Sequence, residues 1–142
     1  MSDKSQVNEL EEGNVLQLDF NKLAKAVSQC ADVIPVAVQN IDTKEVILVA
    51  YINQRALDES IKTRIATFWS TSRNELWIKG ATSGHTFELC EIRVNCEQNS
   101  LLFIVRPKGE GICHTRNSAG NARNCYYRRL NMDTGQLENT DP

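Results

Sequence analysis

Two β-rich runs, VIPVAVQ at 33–39 and EVILVAY at 45–51, are joined by only Asn40-Ile41-Asp42-Thr43-Lys44. A connection that short fits a hairpin, and it sets the pattern for the rest of the chain. IATFWS (65–70) and ELWIK (75–79) repeat it around Thr71-Ser72-Arg73-Asn74. Between Phe87 and Val94 the apolar residues change parity: Phe87 and Leu89 share one face, and Cys90, Ile92 and Val94 the other. A change of phase by one residue predicts a strand with a β-bulge. SLLFIVR (100–106) is a continuous apolar run and predicts a buried strand. Residues 107–124 are rich in Gly, Asn and Arg and predict a long loop, and CYYRRL (125–130) predicts the last strand. One helix is expected after Asp19, with Phe20, Leu23 and Val27 as its apolar face. A second is expected at 53–63, opened by Asn53, with Ala56, Leu57 and Ile61 inward. The fold class that follows is α+β, a mainly antiparallel sheet with two short helices.

The 142 residues fit one domain. The polar ends predict a flexible N-terminal tail at 1–14, a folded domain at 15–130 and a polar C-terminal tail at 131–142. A net charge of -2 gives no bias toward nucleic acid or an anionic membrane. No apolar run approaches the roughly 18 residues of a membrane span. The acidic opening MSDKSQVNELEEGN has the character of neither a signal nor a transit peptide, so a cytoplasmic location is expected.

Five cysteines, at 30, 90, 96, 113 and 125, are an odd number and argue against a full disulfide framework. Cys96, Cys113 and Cys125, with His114 beside Cys113, have the chemistry of a zinc site. Their separations of 17 and 12 residues (113 − 96 and 125 − 113) match no zinc-finger spacing. The alternative is that they are small buried hydrophobes. His114 is open to three roles: fourth ligand, general base or loop residue. Cys30 and Cys90 are expected in the core. From Arg106 to Arg129 six cations (Arg106, Lys108, Arg116, Arg123, Arg128, Arg129) face one acid, Glu110. That excess fits a phosphorylated ligand or a solvated loop.

A second cluster lies at 69–85, WSTSRNELWIKGATSGH. Ser70, Ser72, Thr82 and Ser83, with Arg73, Lys79, Gly80 and Gly84, can present hydroxyls, cations and backbone N–H groups to a phosphate. Hairpin turns use the same residue types for conformational reasons. Trp69 and Trp77 can flank a base or pack in the core.

Taken together, the chain resembles the phosphoribosyl-AMP cyclohydrolase family of histidine biosynthesis from about Leu18 to Leu130. The resemblance rests on Phe68-Trp69-Ser70 through Arg73, Leu76-Trp77, Lys79-Gly80, Thr82-Ser83-Gly84-His85, Cys113-His114-Thr115 and Cys125-Tyr126-Tyr127-Arg128. It also covers Ile34-Pro35 through Val38-Gln39, Glu45-Val46 through Ala50-Tyr51, and Leu101-Leu102. It implies an interlocked homodimer with zinc near the interface, held by Cys96, Cys113 and Cys125, one of them from the partner chain. The implied reaction is hydrolytic opening of the adenine ring of phosphoribosyl-AMP at the N1–C6 bond, with His114 moving the proton. Trp69, Ser70, Ser72, Arg73, Lys79, Thr82, Ser83, Gly84, His85 and Arg116 would bind this small-molecule nucleotide. Neither nucleic acid nor membrane is an expected partner.

The chain departs from the family pattern around the expected pocket. An acidic run that binds magnesium in the family is here Asn95-Cys96-Glu97-Gln98-Asn99. One carboxylate remains of three, so a magnesium site at Asn95, Glu97 and Asn99 is expected to be weak or absent. Thr71 replaces an Arg, Arg116 a Gly and Phe87 a Gln, and the spacing from Cys113 to Cys125 exceeds the usual one by five residues. These changes motivate a second reading, the same zinc chemistry on another purine-like or nitrogen-heterocycle nucleotide. A third is a non-catalytic, zinc-stabilised dimer that binds a nucleotide.

Overall fold

A computed structural model describes residues 8–30, 32–81, 84–109 and 115–142. In chain order its elements are α1 (Glu9–Glu12), α2 (Lys22–Gln29), β1 (Ile34–Asn40), β2 (Val46–Ile52), α3 (Gln54–Thr63), β3 (Phe68–Ser70), β4 (Glu75–Trp77), β5 (Phe87–Val94), β6 (Leu101–Pro107), β7 (Arg128–Leu130) and β8 (Leu137–Asn139). The largest sheet has the order β2-β1-β6-β5, and β3-β4 and β7-β8 form two-stranded ribbons. Both predicted hairpins form, with Val36 opposite Ala50 in one and Trp69 opposite Leu76 in the other. β6 lies inside the sheet, antiparallel to β5 and parallel to β1. A strand covered on both faces needs no polar face, which is why LLFIV reads as an unbroken apolar run. Phe103, Ile104 and Val105 on it are buried. The architecture is α+β and mainly antiparallel.

The phase change in β5 is a bulge. Leu89 faces Val105 and Glu91 faces Ile104, leaving Cys90 as the extra residue. Phe87 and Leu89 therefore enter the core while Ile92, of the other parity, still packs against its margin. Cys90 itself is exposed, not in the core as expected, because the extra residue of a bulge has no partner across the ladder. Cys30 is buried as expected.

The core is built from Val36, Val38, Ile47, Ile52, Phe68, Phe87, Phe103 and Val105 around the sheet. The Phe68 ring lies 5.4 Å from Trp77 and 6.0 Å from Phe103, tying the β3–β4 ribbon to the central strand. α3 begins where expected: Asn53 caps it by accepting the Ala56 N–H at 2.9 Å. Its inward face is Ala56 and Ser60, whereas Ile61 is exposed rather than inward. Ser60 is one turn from Ala56 and is tolerated inside because its hydroxyl is saturated. It accepts the Thr67 N–H at 2.9 Å and donates toward the Ala56 and Thr67 carbonyls.

α2 starts later than expected. Asp19 accepts the Asn21 N–H at 3.0 Å ahead of the helix instead of capping it. The apolar face formed by Phe20, Leu23 and Val27 is exposed, and only Ala26 of this helix is buried.

Both expected tails carry structure. At the N-terminal end, Asn8 caps a third helix, the single turn α1, with acids in its first turn. The Tyr127 hydroxyl donates to the Glu11 carbonyl at 2.6 Å, Arg128 donates to the carbonyls of Leu10 and Gly13, and the Leu137 N–H reaches the Asn14 carbonyl. At the other end, residues beyond 130 form β8, which pairs with β7; that strand begins only at Arg128, not at Cys125. These segments lack apolar periodicity because backbone carbonyls and a buried arginine hold them, not an apolar face. No described helix is long and apolar enough to cross a membrane.

Candidate active site

The β3–β4 turn is built by its own side chains. Ser70 Oγ accepts the Arg73 N–H at 3.3 Å and lies 3.4 Å from Ser72 Oγ, while Asn74 takes the left-handed conformation that closes the turn. Asn74 Oδ1 accepts the Trp69 indole N–H at 3.1 Å. The buried Cys30 thiol lies 3.2 Å from both Asn74 Oδ1 and the Thr71 carbonyl, so it braces the turn from behind. Thr71 is itself buried.

An open cavity of about 300 Å³ lies over this turn, lined by Lys22, Ala50, Tyr51, Trp69, Ser70, Thr71, Ser72, Arg73 and Trp77. Four of the expected binding residues, Trp69, Ser70, Ser72 and Arg73, thus share one concavity. Arg73 is exposed there and pairs with Glu75 at 3.5 Å. Lys22 and Tyr51 join them from α2 and β2, and sequence reasoning missed both. They are distant in sequence from the turn, so no spacing within a motif could have found them.

Lys79, Gly84 and His85 form a second group. Lys79 Nζ donates to the His85 carbonyl at 3.1 Å. Gly80 has φ +77°, and a Cβ there would stand 2.2 Å from the same carbonyl oxygen, so only glycine fits. Gly109, at φ +93°, is packed against the His85 imidazole, with a would-be Cβ 2.6 Å from a ring carbon. The Lys108 N–H bonds the Thr86 carbonyl at 2.8 Å. Lys108 and Gly109, which follow β6, are therefore anchored beside His85. Thr82, Ser83, Cys113 and His114 themselves lie outside the described residues. Arg116 does not line the cavity; it donates to the Gly120 carbonyl at 3.0 Å within its own loop.

Cys96 and Cys125 are both exposed. Cys96 sits in the turn after β5, and the Cys125 N–H bonds the Ile47 carbonyl on the outer side of β2. β2 and β5 are the two edges of the sheet, three strand spacings or about 14 Å apart. Two thiolates on one zinc, each about 2.3 Å from the ion, lie within about 4.6 Å of each other. Cys96 thus lies in the turn beyond one edge strand and Cys125 beside the other. Among the described residues no three His, Cys, Asp or Glu side chains converge on a metal position. Thiolate chemistry suits zinc, so Cys96 and Cys125 fit as donors. Beside Cys125, burial pushes the Tyr126 phenol above its usual range, and the nearby Cys125 charge adds to the effect.

The magnesium position does not fit. Asn95 Oδ1 already accepts the N–H groups of Asn99 and Ser100, each at 2.9 Å. Asn99 Oδ1 accepts from Asn95 Nδ2 at 2.6 Å. Glu97 is the only carboxylate left in this turn, against the several hard oxygens magnesium requires.

The chain matches the family described as phosphoribosyl-AMP cyclohydrolase over residues 48–127. It is 45% identical over 100 residues to the phosphoribosyl-AMP cyclohydrolase of Archaeoglobus fulgidus, covering 70% of this chain and 87% of that protein. It is 46% identical over 101 residues to the protein of that name from Erythrobacter litoralis, covering 71% and 74%. With the one from Caulobacter vibrioides the identity is 42% over 125 residues, covering 87% and 80%. The matched span holds the β3–β4 turn, the His85 loop and all three expected zinc cysteines, and the chain belongs to the phosphoribosyl-AMP cyclohydrolase family of hydrolases.

Proposed function

We propose that this protein is a zinc-dependent hydrolase that opens the adenine ring of phosphoribosyl-AMP at the N1–C6 bond, in histidine biosynthesis in the cytoplasm. The observation that carries the reading is the cavity over the β3–β4 turn. It places two indoles beside the hydroxyls of Ser70, Thr71 and Ser72 and the cations Arg73 and Lys22, and all of these but Lys22 fall within the span that matches the family. Trp69 or Trp77 offers a face for the purine, and Arg73, Ser70 and Ser72 offer donors for a phosphate. Lys79, Thr82, Ser83 and Gly84 would hold a second phosphate. Cys96, Cys113 and Cys125 would hold the zinc. When bound, zinc supplies water in an activated form near neutral pH. His114 would carry the proton between that water and the ring nitrogen that leaves.

The active species is a homodimer in this reading. Cys96 beyond one edge strand and Cys125 beside the other fit a site completed by a partner's cysteine. The uncovered Leu23 and Val27 of α2, with Phe20 just before it at 88% exposed, support a partner over the N-terminal third. The test is the zinc-loaded protein with phosphoribosyl-AMP, followed by the change in purine ultraviolet absorbance. Turnover is expected. A zinc-loaded dimer that leaves the substrate intact would overturn the substrate assignment and favour another nucleotide.

A further inference from the structure

The turn between β5 and β6 is exposed on all of Asn95–Asn99, yet its geometry is fully determined. Asn95 does most of this. Its N–H bonds the Ser100 carbonyl at 3.3 Å, its carbonyl accepts from Gln98 at 3.0 Å, and Gln98 takes φ +56°. Its side-chain oxygen gathers the N–H groups of Asn99 and Ser100. The remaining bond, Asn95 Nδ2 to Asn99 Oδ1 at 2.6 Å, is the one that depends on an amide. A carboxylate at 95 can make every other contact in this set. With carboxylates at both 95 and 99, two anionic oxygens would face each other at that distance. Such a pair needs a proton or a cation between them.

We propose that the Asn95–Asn99 bond is an amide latch that does the work of a bridging cation, so that the turn presenting Cys96 is held without magnesium. Asn95 and Asn99 are then positioning residues for Cys96, and the protein is indifferent to magnesium at this site. The inference concerns the turn itself and stands apart from the substrate assignment.

The two asparagines are expected to be non-additive, and this is the test. In Asn99→Asp, Asn95 Nδ2 donates to a carboxylate instead of an amide. In Asn95→Asp, the Asn99 amide turns over and donates in the opposite direction. Either single variant keeps one N–H in the bridge. Only the Asn95→Asp/Asn99→Asp double variant loses it. Thermal unfolding of the full chain, with zinc present throughout, is followed in magnesium-free buffer and in millimolar magnesium chloride. The expected result is a Tm within about 1 °C between the two conditions for the native protein and both single variants. For the double variant, a loss of several degrees without magnesium, recovered with it, is expected. Calorimetric titration with magnesium chloride should show binding to the double variant alone. Stabilisation of the native protein by magnesium through several degrees would overturn the latch. So would a double variant whose stability is the plain sum of the singles and ignores the ion.

Discussion

The Arg123 guanidinium stacks on the Tyr127 ring, 4.6 Å from its centroid, and pairs with Glu12 at 3.1 Å. The same side chain donates to the Asp141 carbonyl at 2.8 Å. One buried arginine thereby joins the first described helix, the last residues of the chain and the segment that carries Cys125.

Arg123→Ala removes all three contacts and leaves Glu12 without its partner. A loss of about 2 kcal/mol is expected, moderated because Glu12 is partly solvated. Urea unfolding measures it. Trypsin should cut the N-terminal segment of this variant sooner than that of the native chain.

Ser60→Ala is a smaller change with a comparable effect. It strips the Thr67 N–H of its buried acceptor, which lies 2.9 Å away. A cost of about 1–3 kcal/mol is expected from the stranded donor, read by chemical unfolding at unchanged m-value.

Arg73→Ala tests the cavity. If the guanidinium holds a phosphate, its loss should raise KM for phosphoribosyl-AMP by about ten- to a hundredfold, equivalent to about 1.5–3 kcal/mol of charged hydrogen bonding. Zinc content should be unchanged, and steady-state kinetics beside elemental analysis separates the two.

His114→Ala and Cys125→Ala should part company. The first is expected to keep zinc and lose activity by ~100-fold or more, as for a general base. The second is expected to lose the metal itself. Zinc retained in Cys125→Ala would remove that thiol from the ligand set.

Glu138 gives a pH dependence. Its carboxyl is held below the ordinary 4.5, first by the Asn131 amide, which donates at 3.0 Å, then by Arg129; partial burial opposes both. A depressed acid stabilises the fold fully above pH 4.5, and the contribution is lost as pH falls through its lower folded value. Hydrogen exchange should show the β7–β8 ribbon loosening only in that acidic window. Glu138→Gln should remove the dependence.

The sheet was legible in the sequence through its apolar periodicity. The β1–β2 turn, the bulge at Cys90 and the burial of β6 are all written in the alternation of side chains. The ends of the chain were not legible. Tyr127, Arg123 and Arg128 bind them through backbone carbonyls, and a carbonyl is the same at every residue. For the site, the Ser70–Arg73 cluster could be read because one turn holds it together. Lys22 and Tyr51 could not, because the cavity is assembled by packing distant elements. Ile61 and Ser60 exchanged places because a hydroxyl that satisfies three neighbours has no signature in hydropathy.

The parallel pairing of β1 with β6 joins Val36 to Leu101. Closing that seam requires ordering the long stretch between them, a large loop entropy to overcome before the core rewards it. During synthesis the β1–β2 hairpin therefore emerges and waits, its inner edge unpaired, until most of the chain has left the ribosome. That edge is an open template for strand addition by a neighbouring chain, and the interval before β6 arrives is when this protein is most exposed to aggregation.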